Sequence, residues 1–161
     1  NGATTGLSRV GHTLIKQQMI KENAIFAGEL SGHYYFLNEL KNVKYYGEDT
    51  ILATILILNL LDSTDKKMSE LVDPLRKYHQ SGEINFEVID KDKMIKALEK
   101  EFSDGKASFL DGLSVDYTDW WFNVRPSNTE NLLRLNLEAN SKELLERMLK
   151  KISDMIKKGQ K

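Results

Sequence analysis

The chain contains 161 residues, of which 40% are apolar and 29% charged, and its formal net charge is −1. This composition is typical of one globular domain or two small ones, and it excludes a strongly charged surface that would attract nucleic acid or an anionic membrane. The absence of cysteine excludes disulfides and thiolate metal sites, so we expect a reducing, cytoplasmic location.

Two features bear on secretion and membrane insertion. Residues 1–6 lack a basic segment followed by an apolar one, so the sequence predicts no signal peptide. The run from Ile51 to Leu61 is strongly apolar, but it is about half as long as the roughly 20 residues that a membrane-spanning helix needs. We therefore predict a buried helix here and expect no membrane partner.

Residues 1–79 are predicted to be part of an α/β domain, because helical periodicity alternates with short apolar runs. Asp49 or Glu48 suits the start of the apolar helix, and Pro74 disturbs the last helix of this part. The predicted elements are a helix over 11–23, strands over 24–27 and 34–36, a helix over 48–61 and a short helix over 69–78.

A polar stretch at 79–82 predicts a boundary that divides the chain into residues 1–79 and 80–161. The second part is predicted to be an α+β unit, because its alternating apolar residues favour half-buried strands. Asp111-Gly112 indicates a hairpin, and Ser141 suits the N-cap of the last helix. The predicted elements are strands over 83–89, 107–110, 113–117, 120–125 and 133–137, and helices from 90 or 92 to 102 and from 141 onward.

The segment at 125–130 combines one cation with several neutral donors. The planar guanidinium of Arg125 offers a fork of donors that matches a phosphate group. Ser127 and Thr129 add hydroxyls, Asn128 adds an amide, and the backbone N–H groups of a tight polar loop can surround an anion. These residues are candidates for a phosphate site, and the alternative is an ordinary turn.

The segment at 28–33 contains two glycines, which allow a sharp turn and the close approach of a ligand. Glu29 and Ser31 are two residues apart, so in extended backbone both side chains point the same way. A carboxylate and a hydroxyl on one face can accept from, and donate to, neighbouring sugar hydroxyls. The alternative is a plain turn between two strands.

His12 stands at a predicted helix start, where it could carry a proton or bind phosphate as a cation. The alternative is a surface or capping residue. The three histidines are scattered without ligand spacing, so we expect no metal site. The sequence also lacks a P-loop and a dinucleotide-binding glycine motif.

The order of these segments resembles the C-terminal part of the phosphomannomutase/phosphoglucomutase family, within the α-D-phosphohexomutase superfamily. The resemblance covers nearly the whole chain. It implies the end of an α/β mixed-sheet domain, the third domain of a mutase, over residues 1–79. For residues 80–161 it implies a small α+β domain with an antiparallel sheet and helices on one face, TATA-binding-protein-like. The motifs that carry it are Val10-Gly11-His12, Gly28-Glu29-Leu30-Ser31-Gly32-His33 and Arg125-Pro126-Ser127-Asn128-Thr129-Glu130.

The resemblance implies a role for each candidate residue. Glu29 and Ser31 match the pair that binds the sugar 3- and 4-hydroxyls. His12 matches a histidine implicated in substrate binding and proton transfer. Asn131 stands where the family loop usually has proline, a change that removes no phosphate donor. The implied phosphate-binding residues are Arg125, Ser127, Asn128 and Thr129.

For the intact protein the resemblance implies an isomerase reaction. Hexose 1-phosphate and hexose 6-phosphate interconvert through a hexose 1,6-bisphosphate, with Mg²⁺ and an enzyme phosphoserine. The implied partners are glucose or mannose phosphate and the N-terminal mutase domains. The phosphoserine and metal loops of the family do not occur in this sequence, so we expect the chain alone to bind no cofactor and to be catalytically inert.

Three alternatives remain open. Asn128 and the Glu-Leu-Ser triplet favour the mannose/glucose branch over phosphoglucosamine mutase, whose loops usually carry glycine and glutamine at these places. A non-catalytic phosphosugar-binding module would share the same loops. An interaction domain built on the lysine-rich terminal helix would bind no phosphosugar.

Overall fold

The computed structural model describes residues 2–127 and 130–159, which form two compact units. Unit 1 ends at Asp73 and unit 2 begins at Pro74. Strand pairing places His79 in unit 2, because it lies opposite Ala139 in the sheet of that unit. The division into 1–79 and 80–161 remains a prediction.

Unit 1 is built on an antiparallel sheet whose described strands follow the order β1-β2-β3. Its main core cluster is small and contains Ile15 and Met19 from the first helix and Tyr35 from the middle strand, all nearly or fully buried. The elements are α1 (His12–Glu22), β1 (Phe26–Gly28), β2 (Tyr34–Leu40), β3 (Val43–Glu48), α2 (Thr50–Asp62) and α3 (Met68–Val72), after which a 3₁₀ turn covers Asp73–Leu75.

A hairpin between β2 and β3 is absent from the sequence predictions. Leu40 pairs with Val43, and Lys41 and Asn42 between them both have positive φ angles, of 50° and 65°. Two such residues make a type I′ turn, whose usual signal is Asn-Gly or Asp-Gly. Lys-Asn carries no such signal, which is why the sequence indicates no turn here.

An acidic residue stands at the start of α2, as predicted, but the helix lacks the predicted burial. Asp49 Oδ1 accepts a hydrogen bond from Leu52 N at 2.8 Å, as an N-cap residue should. Among the residues of α2, only Ala53 is buried, whereas Ile51 and Leu58 are 75% and 58% exposed. The prediction of a buried helix is therefore wrong in the described structure, although α2 does contact β2. No described helix is long and apolar enough to cross a membrane.

The short helix before the boundary is shorter than predicted. The sequence predicts it over 69–78, but α3 ends at Val72 and a 3₁₀ turn with Pro74 at its centre follows. Proline lacks the N–H that a continuing helix needs, and its ring clashes with the preceding turn. The first strand also differs, because Phe26–Gly28 replaces the predicted 24–27, and Phe26 is 52% exposed rather than buried.

Unit 2 is an α+β unit with an antiparallel sheet, as the sequence predicts. The strand order is β4-β9-β8-β7-β6, and β5 also pairs with β9. The elements are β4 (His79–Gln80), β5 (Ile84–Glu87), α4 (Lys91–Glu101), β6 (Lys106–Ser108), β7 (Leu113–Asp116), β8 (Trp120–Pro126), β9 (Leu132–Ala139) and α5 (Lys142–Lys158).

The core of unit 2 lies between its helices and one face of the sheet. Residues of β9 alternate between half-buried and buried, and the buried set belongs to the same cluster as Leu98 of α4 and Ile152 of α5. The predicted caps are confirmed: Asp90 accepts from Lys93 N at 2.9 Å and Ser141 from Leu144 N at 3.2 Å. These caps satisfy N–H groups that helix ends otherwise leave without partners.

This core predicts a clear contrast between two isoleucines of unit 2. Ile152→Ala removes a fully buried side chain, so we expect the free energy of unfolding to fall by about 2–5 kcal/mol. Ile89→Ala is the matched control, because Ile89 is 76% exposed and its truncation should cost less than about 0.5 kcal/mol. Urea unfolding followed by the fluorescence of Trp120 and Trp121, both in unit 2, measures the difference; equal effects would contradict the assigned core.

Candidate functional site

The first candidate loop is a tight turn. Gly32 N donates to Glu29 O at 3.0 Å, and Glu29 N donates to His33 O at 2.9 Å. Gly32 has a φ of 85°, a conformation that glycine adopts without strain. The expected extended backbone between Glu29 and Ser31 is therefore wrong, because the chain reverses direction between these residues.

The carboxylate of Glu29 is largely buried and has two donors from different elements. Its side chain is 14% exposed. Gly11 N, at the start of α1, donates to Oε1 at 3.4 Å, and the Tyr35 hydroxyl donates to Oε2 at 2.8 Å. A buried carboxylate needs such donors to remain charged. Burial, together with the hydrogen bond to Glu29, raises the pKa of Tyr35 to about 12, so its hydroxyl stays protonated at neutral pH.

His33 connects the turn to a second carboxylate. Ser31 Oγ lies 2.7 Å from His33 Nδ1, and the other ring nitrogen lies 3.9 Å from Glu48 Oε1. The second oxygen of Glu48 lies 3.4 Å from Nδ1 of His12. The structure thus brings the predicted residues His12, Glu29 and Ser31 into one polar cluster of unit 1. We call this the hydroxyl cluster, which consists of His12, Glu29, Ser31, His33, Tyr35 and Glu48.

The hydroxyl cluster has a buried side and an open side. Tyr35 is fully buried beneath Glu29, whereas the side chains of His12 and His33 are each 51% exposed. The rings of His12 and Tyr35 meet edge to face, with centroids 5.5 Å apart. An arrangement of acceptors, a hydroxyl and imidazoles at an open surface can bind a ligand rich in hydroxyl groups.

Three members of the cluster are not among the residues predicted from sequence. His33 belongs to the motif at 28–33, but the sequence assigns it no role. Glu48 lies opposite Tyr35 in the β2–β3 pairing. Because the sequence does not predict this hairpin, it also does not indicate that Glu48 lies near the turn. A tyrosine within a buried strand does carry a usable signal, because its hydroxyl needs a partner when the ring is buried.

The second candidate loop lies in unit 2, where Arg125 occupies β8. Arg125 is directly opposite Arg134 of β9, an arrangement of like charges that needs compensation. Glu83 supplies it, with its two carboxylate oxygens 3.3 Å from Arg125 and 3.4 Å from Arg134. Asp111 lies 3.8 Å from Arg125. Arg125 Nη2 donates to Glu83, and since a guanidinium carries five N–H donors, the fork retains donor capacity.

Ser127 is buried and directly follows β8. Its N–H donates to Leu132 O at 2.9 Å, and its Oγ accepts from Glu130 N at 3.2 Å. Lys91 Nζ donates at 3.1 Å to the carbonyl oxygens of both Ser127 and Glu130. The predicted phosphate ligands Asn128 and Thr129 lie outside the described residues.

The surroundings of Arg125 combine cations and carboxylates in similar number. Arg134 and Lys91 add positive charge, while carboxylates come from Glu83, Asp111 and Glu130. The buried Nε of Arg134 has no hydrogen-bond partner among the described residues. Because these charges balance, anion binding here depends on the geometry of the donors and not on net charge.

A metal ion finds no ready site in the described part of the chain. Within residues 2–127 and 130–159, no group of three or more histidine, cysteine, aspartate or glutamate side chains could hold one. The hydroxyl cluster includes four such residues, but its imidazoles and carboxylates face one another instead of converging on a common point.

The buried Tyr35 predicts a loss of stability at high pH. A tyrosine whose pKa is raised from 10.0 to about 12 stabilises the fold fully below pH 10 and loses that contribution as the pH rises through 12. We expect the free energy of unfolding of unit 1 to fall by on the order of 2 kcal/mol over this range. Tyr35→Phe should abolish this fall and Tyr45→Phe, at an exposed position, should retain it. Urea unfolding at several pH values, followed by the NMR signals of methyl groups in unit 1, measures the fall in each variant. The same fall in both variants would contradict the assignment of the effect to Tyr35.

Comparison with known proteins assigns both units to one family. Residues 1–78 match the sequence model of the phosphoglucomutase/phosphomannomutase alpha/beta/alpha domain III, and residues 83–155 match that of the C-terminal domain of the same family. These matches, with the helices and antiparallel sheets of the structure, confirm the predicted fold class.

Individual relatives agree with this assignment. A phosphomannomutase of Methanocaldococcus jannaschii is 44% identical over 94% of this chain and 32% of its own length. A phosphohexose mutase of Xanthomonas campestris is 34% identical over 97% of this chain and 35% of its own length. A crystal structure of a phosphoglucomutase/phosphomannomutase family protein from Burkholderia thailandensis has a TM-score of 0.73 and 28% identity, covering 93% of this chain and 31% of that one.

The chain therefore spans about a third of the length of the curated relatives that it matches. The resemblance inferred from its motifs is confirmed. The chain belongs to the phosphoglucomutase/phosphomannomutase family and corresponds to the C-terminal part of a phosphohexomutase.

Proposed function

We propose that this chain supplies sugar and phosphate recognition to a phosphohexomutase that interconverts hexose 1-phosphate and hexose 6-phosphate through a 1,6-bisphosphate. In this proposal Glu29 and Ser31 bind hydroxyls of the hexose, and His12 contributes to binding and proton transfer. The phosphate ligands are Arg125, Ser127, Asn128 and Thr129. The partners are glucose or mannose phosphate and the N-terminal domains of the mutase.

The observation that carries the proposal is the composition of the hydroxyl cluster. Ser31 Oγ lies 2.7 Å and Glu29 Oε2 lies 4.0 Å from the same atom, His33 Nδ1. The surface here is open, because the side chains of His12 and His33 are half exposed. A sugar offers neighbouring hydroxyls, each of which can donate to a carboxylate and accept from a protein hydroxyl. The similarity to proteins named phosphomannomutase and phosphohexose mutase supports a phosphohexose over a plain sugar.

The phosphate part of the proposal rests on Arg125. A guanidinium that stands two residues before the buried Ser127 and keeps donor capacity can bind two oxygens of a phosphate at once. Glu83 holds Arg125 while neutralising Arg134, so the guanidinium is oriented before the ligand arrives.

Mg²⁺ and the 1,6-bisphosphate belong to the proposal only for the intact enzyme. Mg²⁺ would neutralise charge on a transferring phosphoryl group. The described residues present no fitting set of ligands for it, so the roles proposed for this chain are binding, orientation and proton transfer. That the chain alone is catalytically inert stays a prediction. We also propose a cytoplasmic location, which suits a chain without cysteine.

A non-catalytic phosphosugar-binding module is the second candidate. It is favoured by the same two loops and needs neither phosphoserine nor metal. Phosphoglucosamine mutase is a further candidate, disfavoured by Asn128 and the Glu-Leu-Ser triplet. Both candidates share the binding roles proposed above and differ in what the rest of the protein does.

The binding roles predict a specific effect of Arg125→Ala. Inorganic phosphate should bind the variant at least about tenfold more weakly, since a hydrogen bond to a charged group contributes roughly 1.5–3 kcal/mol and 1.4 kcal/mol is tenfold. ¹H–¹⁵N NMR shifts of Ser127 during a phosphate titration measure the dissociation constant.

Arg147→Ala is the matched control, because Arg147 is an exposed arginine of α5 in the same unit. Its phosphate affinity should equal that of the unchanged protein. In the unchanged protein, α-D-glucose 1-phosphate should also shift the amide signals of residues 28–33. Equal phosphate binding by R125A and the control, or no response of either loop to glucose 1-phosphate, would refute the proposal.

A further inference from the structure

Tyr35 is the one member of the hydroxyl cluster that no ligand can reach directly. It lies in the middle strand of unit 1 and its exposure is 0%. Its ring packs with Ile15 and Met19 of α1, while its hydroxyl donates to Glu29 Oε2 at 2.8 Å. A phenylalanine would pack equally well in an apolar core, so packing alone gives no reason for the hydroxyl.

The hydrogen bonds of Glu29 determine which acceptor positions stay open. An ionised carboxylate has about four lone-pair positions, two on each oxygen. The Gly11 N–H uses one on Oε1 and the Tyr35 hydroxyl uses one on Oε2. One position therefore remains on each oxygen, both in a fixed direction because the two donors belong to the backbone and to a buried ring.

We propose that Tyr35 is a positioning and specificity-determining residue, which presets the Glu29 carboxylate to accept from two neighbouring hydroxyls of a sugar. This inference rests on the proposed sugar-binding role of Glu29 and adds a residue to it. Tyr35 acts through Glu29 and touches no ligand. Without its hydroxyl, Oε2 loses its buried donor and the carboxylate gains rotational freedom, so part of the binding energy is lost in ordering it again.

The chemistry of the surroundings supports this assignment. His33 Nδ1 is 4.0 Å from Oε2, beyond hydrogen-bonding distance, so within the described structure Tyr35 is the donor that holds this oxygen. Burial and Glu29 itself hold the pKa of Tyr35 at about 12, and the hydroxyl therefore remains a donor across the physiological pH range.

A double-mutant cycle on the full chain tests the inference. The variants are Tyr35→Phe, Glu29→Gln and their combination, with Tyr46→Phe as the control because Tyr46 packs against the same core cluster. The dissociation constants of α-D-glucose 1-phosphate and inorganic phosphate are measured by NMR titration. The ¹³C signal of the Glu29 carboxylate and the amide signal of Gly11 are recorded without ligand.

We expect Y35F to weaken glucose 1-phosphate binding about tenfold, the scale of one hydrogen bond to a charged group, and to leave inorganic phosphate binding unchanged. In the Glu29→Gln background the second substitution should have no further effect, since the two residues act as a unit. Without ligand, Y35F should shift the signals of Glu29 and Gly11, and Y46F should not.

Two results would overturn the inference: effects of Y35F and E29Q on glucose 1-phosphate binding that simply add, or Glu29 and Gly11 signals that Y35F leaves unchanged. If the unchanged protein binds no glucose 1-phosphate, the proposed function fails, while the ligand-free signals still decide whether Tyr35 positions Glu29. If Y35F does not fold, the E29Q variant provides the test without ligand. The ring signals of Tyr35 should differ between E29Q and the unchanged protein, whereas those of Tyr46 should not. Unchanged Tyr35 ring signals would count against the inference.

Discussion

A carboxylate that is mostly removed from water must find donors within the protein, and Glu29 finds them in two separate elements. The N–H of Gly11 comes from the start of α1, and the hydroxyl of Tyr35 comes from the middle strand. Satisfying this charge therefore fixes the helix, the turn and the sheet of unit 1 relative to one another. Because its core cluster is small, unit 1 depends on this polar contact more than a larger unit would.

In unit 2 the charges that need partners within the protein are positive. Two arginines face each other across β8 and β9, and Glu83 lies between them. Its apolar core is extensive, so the sheet can carry these charges on its polar side and still be stable. In both units a residue proposed to bind a ligand is held by a second side chain, Glu29 by Tyr35 and Arg125 by Glu83, which is how preorganised sites keep their geometry.

The predictions from sequence succeeded where the signal is local. The caps Asp49, Asp90 and Ser141 and the alternating strand that became β9 follow from short-range chemistry. The failures involve tertiary context. The Lys41-Asn42 turn has unusual chemistry, and missing it concealed the proximity of Glu48 to the histidines. The exposure of α2 could not be foreseen, since an apolar run indicates burial but not which face a neighbour covers. The motif residues follow from their side-chain chemistry and from the family resemblance, whereas the partner of the Tyr35 hydroxyl is known only from the structure.

The central claim is that the buried hydroxyl of Tyr35 donates to Glu29. The NMR signal of that hydroxyl proton tests the claim directly. At neutral pH and low temperature, the ¹H NMR spectrum should contain a slowly exchanging hydroxyl resonance with cross-peaks to the Tyr35 ring and to the side chain of Glu29. Slow exchange is expected because the group is fully buried and its oxygen-bound proton is held in a charge-assisted bond. A hydroxyl proton that exchanges with water too fast to be seen, in a protein whose Ile15 and Met19 signals show a folded core, would contradict the account.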